Sequence, residues 1–193
     1  MRIQEVKTLF RHAILGIVVL ILSACSRGGY NQNFVNYNAA PTRAMLVAIL
    51  PFENLTTHRN AGIIASELLT TELYRQGIFR ILEQSRIRKW MANNKINPAQ
   101  LTETTYAQAV ARALGVHAVI IGSVSEFGYQ HGLKEEPTVG INTRLVSGSS
   151  GQVLWASSTS DTGRGIFNRD SANETAQRVV VKMVTELNNR LPD

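Results

Sequence analysis

Met45-Leu46-Val47-Ala48-Ile49-Leu50-Pro51-Phe52 is a continuous apolar run stopped by a proline. Without alternation, a run of this length reads as a β-strand buried on both faces. The residues that follow carry the cover such a strand needs. After a polar loop at 53–60, apolar side chains recur at helical spacing over 61–76 (Ile64, Leu68, Leu69, Leu73), and Gly77 is placed to close that helix as its C-cap. Phe79-Arg80-Ile81-Leu82 gives a second strand. Glu83-Gln84-Ser85 opens a helix through Ile87, Trp90 and Met91 that ends near Asn93-Asn94.

Farther along, Ile96-Asn97-Pro98 is a linker. Tyr106, Val110, Ala113 and Leu114 mark another amphipathic helix, closed by Gly115. Residues 116–127 form a strand that is apolar throughout at first and alternating later. A loop holding Gly128, Gly132 and Pro137 leads to an alternating, half-exposed strand at 139–146. The turn Ser147-Gly148-Ser149-Ser150-Gly151 returns the chain as a hairpin partner at 152–157. Gly163 and Gly165 fall in a loop, and Asp170 or Ser171 caps a last helix whose apolar face is Ala176, Val179, Val180, Met183, Val184 and Leu187. The order β-α-β-α-α-β-β-β-α predicts an α/β (α+β) domain, a mixed sheet of about five strands with helices packed on its faces.

Upstream, residues 26–43 hold Gly28-Gly29, several asparagines and Pro41, with no apolar periodicity, and read as a flexible tether. A tether of that length spans roughly 25 Å r.m.s.. Tyr30, Phe34 and Tyr37 are spaced along it, able either to pack on the domain or to sit at lipid headgroups. Before it, Arg2, Lys7 and Arg11 precede the apolar run 13–22, which ends in Leu22-Ser23-Ala24-Cys25. A basic region, a short apolar core and small residues at a cut site make a secretory signal peptide. The run is too short to span a bilayer, which takes about 20 apolar residues. The expected divisions are a leader at 1–24, a lipidated amino terminus and tether at 25–44, and a globular domain at 45–193. The Leu-Ser-Ala-Cys ending resembles the bacterial lipobox, which implies cleavage before Cys25 and acylation of its thiol. Cys25 is the only cysteine of the chain, and in an oxidising compartment acylation removes an otherwise reactive thiol. Ser26, where an aspartate would imply inner-membrane retention, implies by the same resemblance an outer-membrane lipoprotein facing the periplasm.

The formal charge is +6, and a leader with three bases and one acid (Glu5) takes two of those charges away on removal, leaving +4. The remainder is spread along the chain with no basic stripe, which argues against nucleic acid as a partner. Catalytic and cofactor motifs are missing. The chain has no Gly-x-Ser-x-Gly elbow, phosphate loop or His-Glu-x-x-His pair. His58, His117 and His131 are separated in sequence, and the pair Glu135-Glu136 sits in a hairpin loop beside Lys134. No catalytic residue, cofactor or metal ligand is therefore expected. The polar stretch 54–60 precedes a helix N-terminus, where an anion could bind, but without a glycine-rich turn it reads as a plain connection. Trp155 reads either as core or as an exposed partner or membrane contact, and Trp90 as a further candidate contact, partly buried under a basic rim. Strand alternation sets Val153 and Trp155 on one face, opposite Leu154, and Trp90 lies on a helix rimmed by Arg86, Arg88 and Lys89.

Three stretches together carry a family resemblance. They are Val47-Ala48-Ile49-Leu50-Pro51-Phe52-Glu53-Asn54 with Tyr74-Arg75-Gln76-Gly77-Ile78-Phe79-Arg80-Ile81-Leu82-Glu83, then Ala113-Leu114-Gly115-Val116-His117-Ala118-Val119-Ile120-Ile121-Gly122-Ser123-Val124, and finally Val139 to Val146 followed by Ser150-Gly151-Gln152-Val153-Leu154-Trp155. The pattern, from about Leu46 to the C-terminus, resembles the periplasmic lipoprotein superfamily of CsgG, the amino-terminal domain of TolB, LpoB and PelC. The resemblance implies a non-enzymatic protein that binds other envelope proteins or closes into rings. Its curli pore builds a barrel from long hairpins, for which strands of about 9–11 residues are needed, and the loop at 128–137 is too short to supply them. Its peptidoglycan-synthase activator carries a longer tether than this chain has. The compact, ring-forming polysaccharide lipoprotein is nearest in size and layout. The expected function is a scaffold or adaptor in envelope assembly or export, homo-oligomeric, with a monomeric synthase activator as the alternative.

Overall fold

The computed structural model describes His12 and residues 29–97, 103–130, 136–163 and 170–191. The leader apart from His12, Cys25, His131, Gly132, Glu135 and Gly165 lie outside the described residues. The apolar run at 45–52 becomes β2 (Leu46–Ile49), flanked by parallel neighbours on both sides. Its alternate side chains enter separate cores. Val47 and Ile49 face one way and Ala48 and Leu50 the other, and all four are fully buried. Fully burying an aliphatic side chain is worth about 1.5–3 kcal/mol, so this strand holds both layers to the sheet.

The sheet has seven strands in the order β1-β7-β6-β5-β2-β4, with β3 (Glu53–Asn54) pairing with β5 beyond the end of β2. β4 (Arg80–Ile81) and β2 run parallel to each other, and β2 runs parallel to β5 (Ala118–Gln130). From β5 the sheet continues antiparallel through β6 (Glu136–Ser147), β7 (Val153–Thr162) and β1 (Asn31–Val35). Helices α1 (Ala61–Gln76) and α4 (Ala172–Asn188) cover one face. Helices α2 (Gln84–Asn93) and α3 (Thr104–Leu114) supply the core on the other.

The helix boundaries follow from their caps. Gly77 and Gly115 adopt the left-handed conformation expected of C-caps, with φ of 63° and 68°. At the start of α4 the choice falls on Ser171. Its hydroxyl accepts from the Glu174 amide, and the Glu174 carboxylate accepts from the Ser171 amide, forming a capping box.

The strand count corrects the expectation of about five. One addition, β3, is a two-residue extension. The other, β1, lies in the stretch read as tether. Its sequence Asn-Gln-Asn-Phe-Val lacks apolar alternation because only Val35 reaches the core. The rest of β1 is edge strand held by backbone bonds, with the Ser160 amide donating to the Tyr30 carbonyl at 2.8 Å and the Asn36 amide to the Leu154 carbonyl at 2.9 Å. The hairpin strands β5 and β6 also run deeper into the expected loop, to Gln130 and from Glu136.

Antiparallel pairing turns every second amide toward the partner strand. In hydrogen exchange, Gln32, Phe34 and Asn36 are expected to be protected while Asn31 and Asn33 exchange fast. Uniformly fast exchange over 31–36 would restore the flexible tether.

Candidate functional site

The two layers of helices do not cover the sheet equally. Over β2, β5 and the end of β6, α2 and α3 bury Ala48, Val119, Ile121 and Val146. Beyond them, the same face of β6, β7 and β1 is polar and uncovered. Cross-strand register sets Phe34, Ala156 and Arg144 in one row, and Gln32, Ser158, Asn142 and Ser123 in the next. The Ser158 hydroxyl donates to Asn142 Oδ1 at 2.7 Å, linking neighbouring strands. With Glu53 at its margin, this face forms a shallow concavity of about 750 Å³. Serine and asparagine side chains spaced along strands offer hydrogen bonds to a partner but no acid–base pair.

A second concavity, about 490 Å³, opens where β2 and β3 end against the start of α1 and the side of α2. Pro51, Phe52, Ile63 and Met91 give it an apolar floor, and Asn54, Glu67, Gln84 and Arg88 a polar margin. Crevices at the carboxyl ends of parallel strands are common ligand positions. Gln84 Nε2 donates to the Ile49 carbonyl and the Thr70 hydroxyl, tying α2 to β2 and α1. Glu67 and Arg88 pair across the mouth at 3.5 Å, both more than half exposed.

The loop 54–60 beside this cleft spends its polar groups on itself. Asn54 Oδ1 accepts from the Thr56 amide and hydroxyl, Asn54 Nδ2 donates to the His58 carbonyl, and the His58 amide donates to the Thr56 hydroxyl. The His58 ring packs against Phe127 with centroids 4.6 Å apart. His117 accepts the Leu46 amide on Nδ1 at 2.9 Å, which fixes β2 against the start of β5. Both described histidines of the domain thus have structural partners, and they lie in separate places. Among the described residues no group of three or more His, Cys, Asp or Glu side chains is placed to hold a metal ion.

The two tryptophans differ. Trp155 is fully buried in the larger core, which removes it from the contact surface. The alternation argument fails there because of a bulge: Leu145 pairs with Trp155 and Val146 with Val153, so Leu154 is the extra residue. Leu154 and Trp155 consequently enter the same core. Trp90 is half-buried against the smaller core, and Arg86, Arg88 and Lys89 around it are exposed. Sequence reasoning missed both concavities, since each is assembled from segments far apart in the chain.

Among the described residues, the fold and its surfaces define a mixed-sheet domain with an open polar sheet face, a cleft with an apolar floor at the ends of β2 and β3, and no group of side chains placed to hold a metal ion. The chain belongs to the CsgG family: the family described as curli production assembly/transport component CsgG matches residues 34–189. That match begins inside β1, in agreement with its place in the sheet. The chain is similar in structure to the PelC dodecamer from Paraburkholderia phytofirmans, with a TM-score of 0.63 and 23% identity over 86% of this chain and 100% of that one. It is also similar to lipoprotein GNA1162 from Neisseria meningitidis (TM-score 0.58, 23% identity, 75% and 99% covered). The hypothetical protein CT253 from Chlamydia trachomatis is another neighbour, with a TM-score of 0.52 and 13% identity, covering 75% and 95% of the two chains. At these identities the likeness shows the fold. No curated protein sequence matches the chain.

One carboxylate is buried and ion-paired within α1. The Glu72 side chain is 1% exposed and bonded by Arg75 and by Gln76, which also reaches Thr185 on α4. The Arg75 hydrogen bonds hold its carboxyl below the usual carboxylate range, against the opposing push of burial. A carboxyl whose folded pKa is depressed adds stability that is full above its unfolded pKa and is lost as pH falls through the folded one. Arg75→Ala is therefore expected to lower the melting temperature at pH 7 and to move acid unfolding to higher pH. Thermal melts between pH 7 and pH 3 check this. Parallel curves for the two proteins would contradict it.

Proposed function

We propose that the protein is an outer-membrane lipoprotein, anchored on the periplasmic side through acylated Cys25 after removal of residues 1–24. In this reading it acts without enzymatic activity as a scaffold or adaptor in envelope assembly or export. The observation that carries the reading is the CsgG-family match over nearly the whole folded part of the chain. The shared fold with a protein that forms a dodecamer supports self-association. Among the described residues no helix is long and apolar enough to cross a membrane, and the lipid on Cys25 supplies the attachment instead. Several acyl chains are needed for that, since one chain binds only marginally.

The mechanism is recognition by surface. A closed ring of identical protomers needs two different, complementary patches on each copy. The uncovered sheet face and the cleft at the strand ends, which meet at Glu53, are candidate patches for copies of the chain or for envelope and export proteins. The mild, dispersed positive charge gives no reason to include nucleic acid among the partners.

The native mass of the detergent-solubilised acylated protein, measured beside a soluble Cys25→Ser form, tests this. The expected result is one closed oligomer of defined stoichiometry for the acylated form, with palmitate labelling absent from the Cys25→Ser form. Monomers at micromolar concentration in both forms would contradict the scaffold and favour a monomeric activator of a peptidoglycan synthase.

A further inference from the structure

The aromatic residues nearest the anchor are half or more exposed and lie outside both cores. Tyr30 and Phe34 are each 51% exposed and Tyr37 is 72% exposed. They belong to one edge of the sheet: Tyr30 directly precedes β1, Phe34 lies in it, and Tyr37 opens the short 3₁₀ helix that follows, Tyr37–Ala39. Backbone bonds to Ser160 and Leu154 pin both ends of this segment to β7, so the aromatics move with the folded body. Phe34 stands in the uncovered row with Ala156 and Arg144.

Covalent geometry limits how far that edge can lie from Cys25. Tyr30 lies five positions beyond Cys25, and a chain of that length reaches at most ~18 Å when fully extended. As a flexible coil it spans about 12 Å. The polar layer on each side of a bilayer is roughly 5–8 Å deep. A lipid on Cys25 therefore brings the β1 edge to the headgroups, where tyrosine favours its position with the ring in the apolar boundary and the hydroxyl in water. Cations border the same edge. Arg190 donates to the Asn33 carbonyl at 3.2 Å and pairs with Glu186 at 3.5 Å, and Arg43 donates to Asn188 Oδ1 at 2.7 Å. Guanidinium groups held there attract anionic headgroups over about a Debye length, ~8–10 Å.

We propose that the β1 edge is a membrane-docking surface, with Tyr30, Phe34 and Tyr37 seated at the headgroups of the leaflet that holds the Cys25 acyl chains. This rests on the acylation in the proposed function and deepens it. The lipid then fixes orientation as well as location: β1 faces the bilayer, and the cleft between α1 and α2, on the far side of β5, is left for partners.

The test uses the full acylated chain in vesicles of phosphatidylethanolamine and phosphatidylglycerol containing headgroup-level nitroxide lipid. Acylated Cys25 has no free thiol, so Tyr37→Cys and Lys89→Cys each introduce one labelling site for an environment-sensitive fluorophore. Lys89 is exposed on α2, away from β1. The expected result is quenching several-fold stronger at position 37 than at position 89, with a blue shift only at 37. Equal quenching at the two positions in vesicle-bound, acylated protein would overturn the docking surface while leaving the anchor intact. A blue shift at 37 without quenching, growing with protein concentration, would assign the edge to a second copy and also overturn it. Protein that neither floats with the vesicles nor carries lipid would remove the anchor, and the inference with it.

Discussion

The parallel pair β2 and β5 is the constraint on which the rest of the molecule depends. Val47, Ile49, Ala118 and Ile120 enter one core while Ala48, Leu50, Val119 and Ile121 enter the other, and all are at most 1% exposed. A strand pair apolar on both faces is stable only when both faces are covered. That requirement places α1 and α4 on one side and α2 and α3 on the other. It also explains where cover stops. Past β5 the strands alternate, one face carries Ile141, Leu145 and Trp155 into the α4 core, and the other carries Asn142, Arg144 and Ser158 to solvent. The uncovered polar face follows from the same pattern as the core.

Much of this was legible in the sequence because each signal was local. Helical spacing bounded by a glycine that tolerates positive φ defines α1 and α3, and a polar cap at Asp170 or Ser171 marked the start of α4, which the capping box with Glu174 settles on Ser171. The CsgG-type pattern was likewise readable from three contiguous stretches. What was not legible depends on tertiary context. β1 is polar because an edge strand with one core residue needs no apolar alternation, so propensity reads it as coil. Trp155 sits in the core because of a bulge at Leu154, which no period-two pattern reveals. The cleft joins the ends of β2 and β3 to α1 and α2, and the open face joins β1 to strands more than a hundred residues later, so neither appears as a motif.

The reassignment of β1 changes the functional picture as well as the strand count. A tether of some twenty residues would let the domain wander roughly 25 Å from its anchor. With the sheet beginning at Asn31, a lipid on Cys25, as proposed, would be linked to it by only a few residues, and the fold rather than the tether would set the position of the domain on the bilayer. In the proposed scaffold, copies held at one height and in one orientation would lose less freedom when they associate.

Neutron reflectometry of the acylated protein on a supported bilayer tests this positioning most directly. The account predicts protein density that begins at the headgroups with no intervening hydrated layer. A water-rich gap of ~25 Å, the span of a free tether, would contradict it.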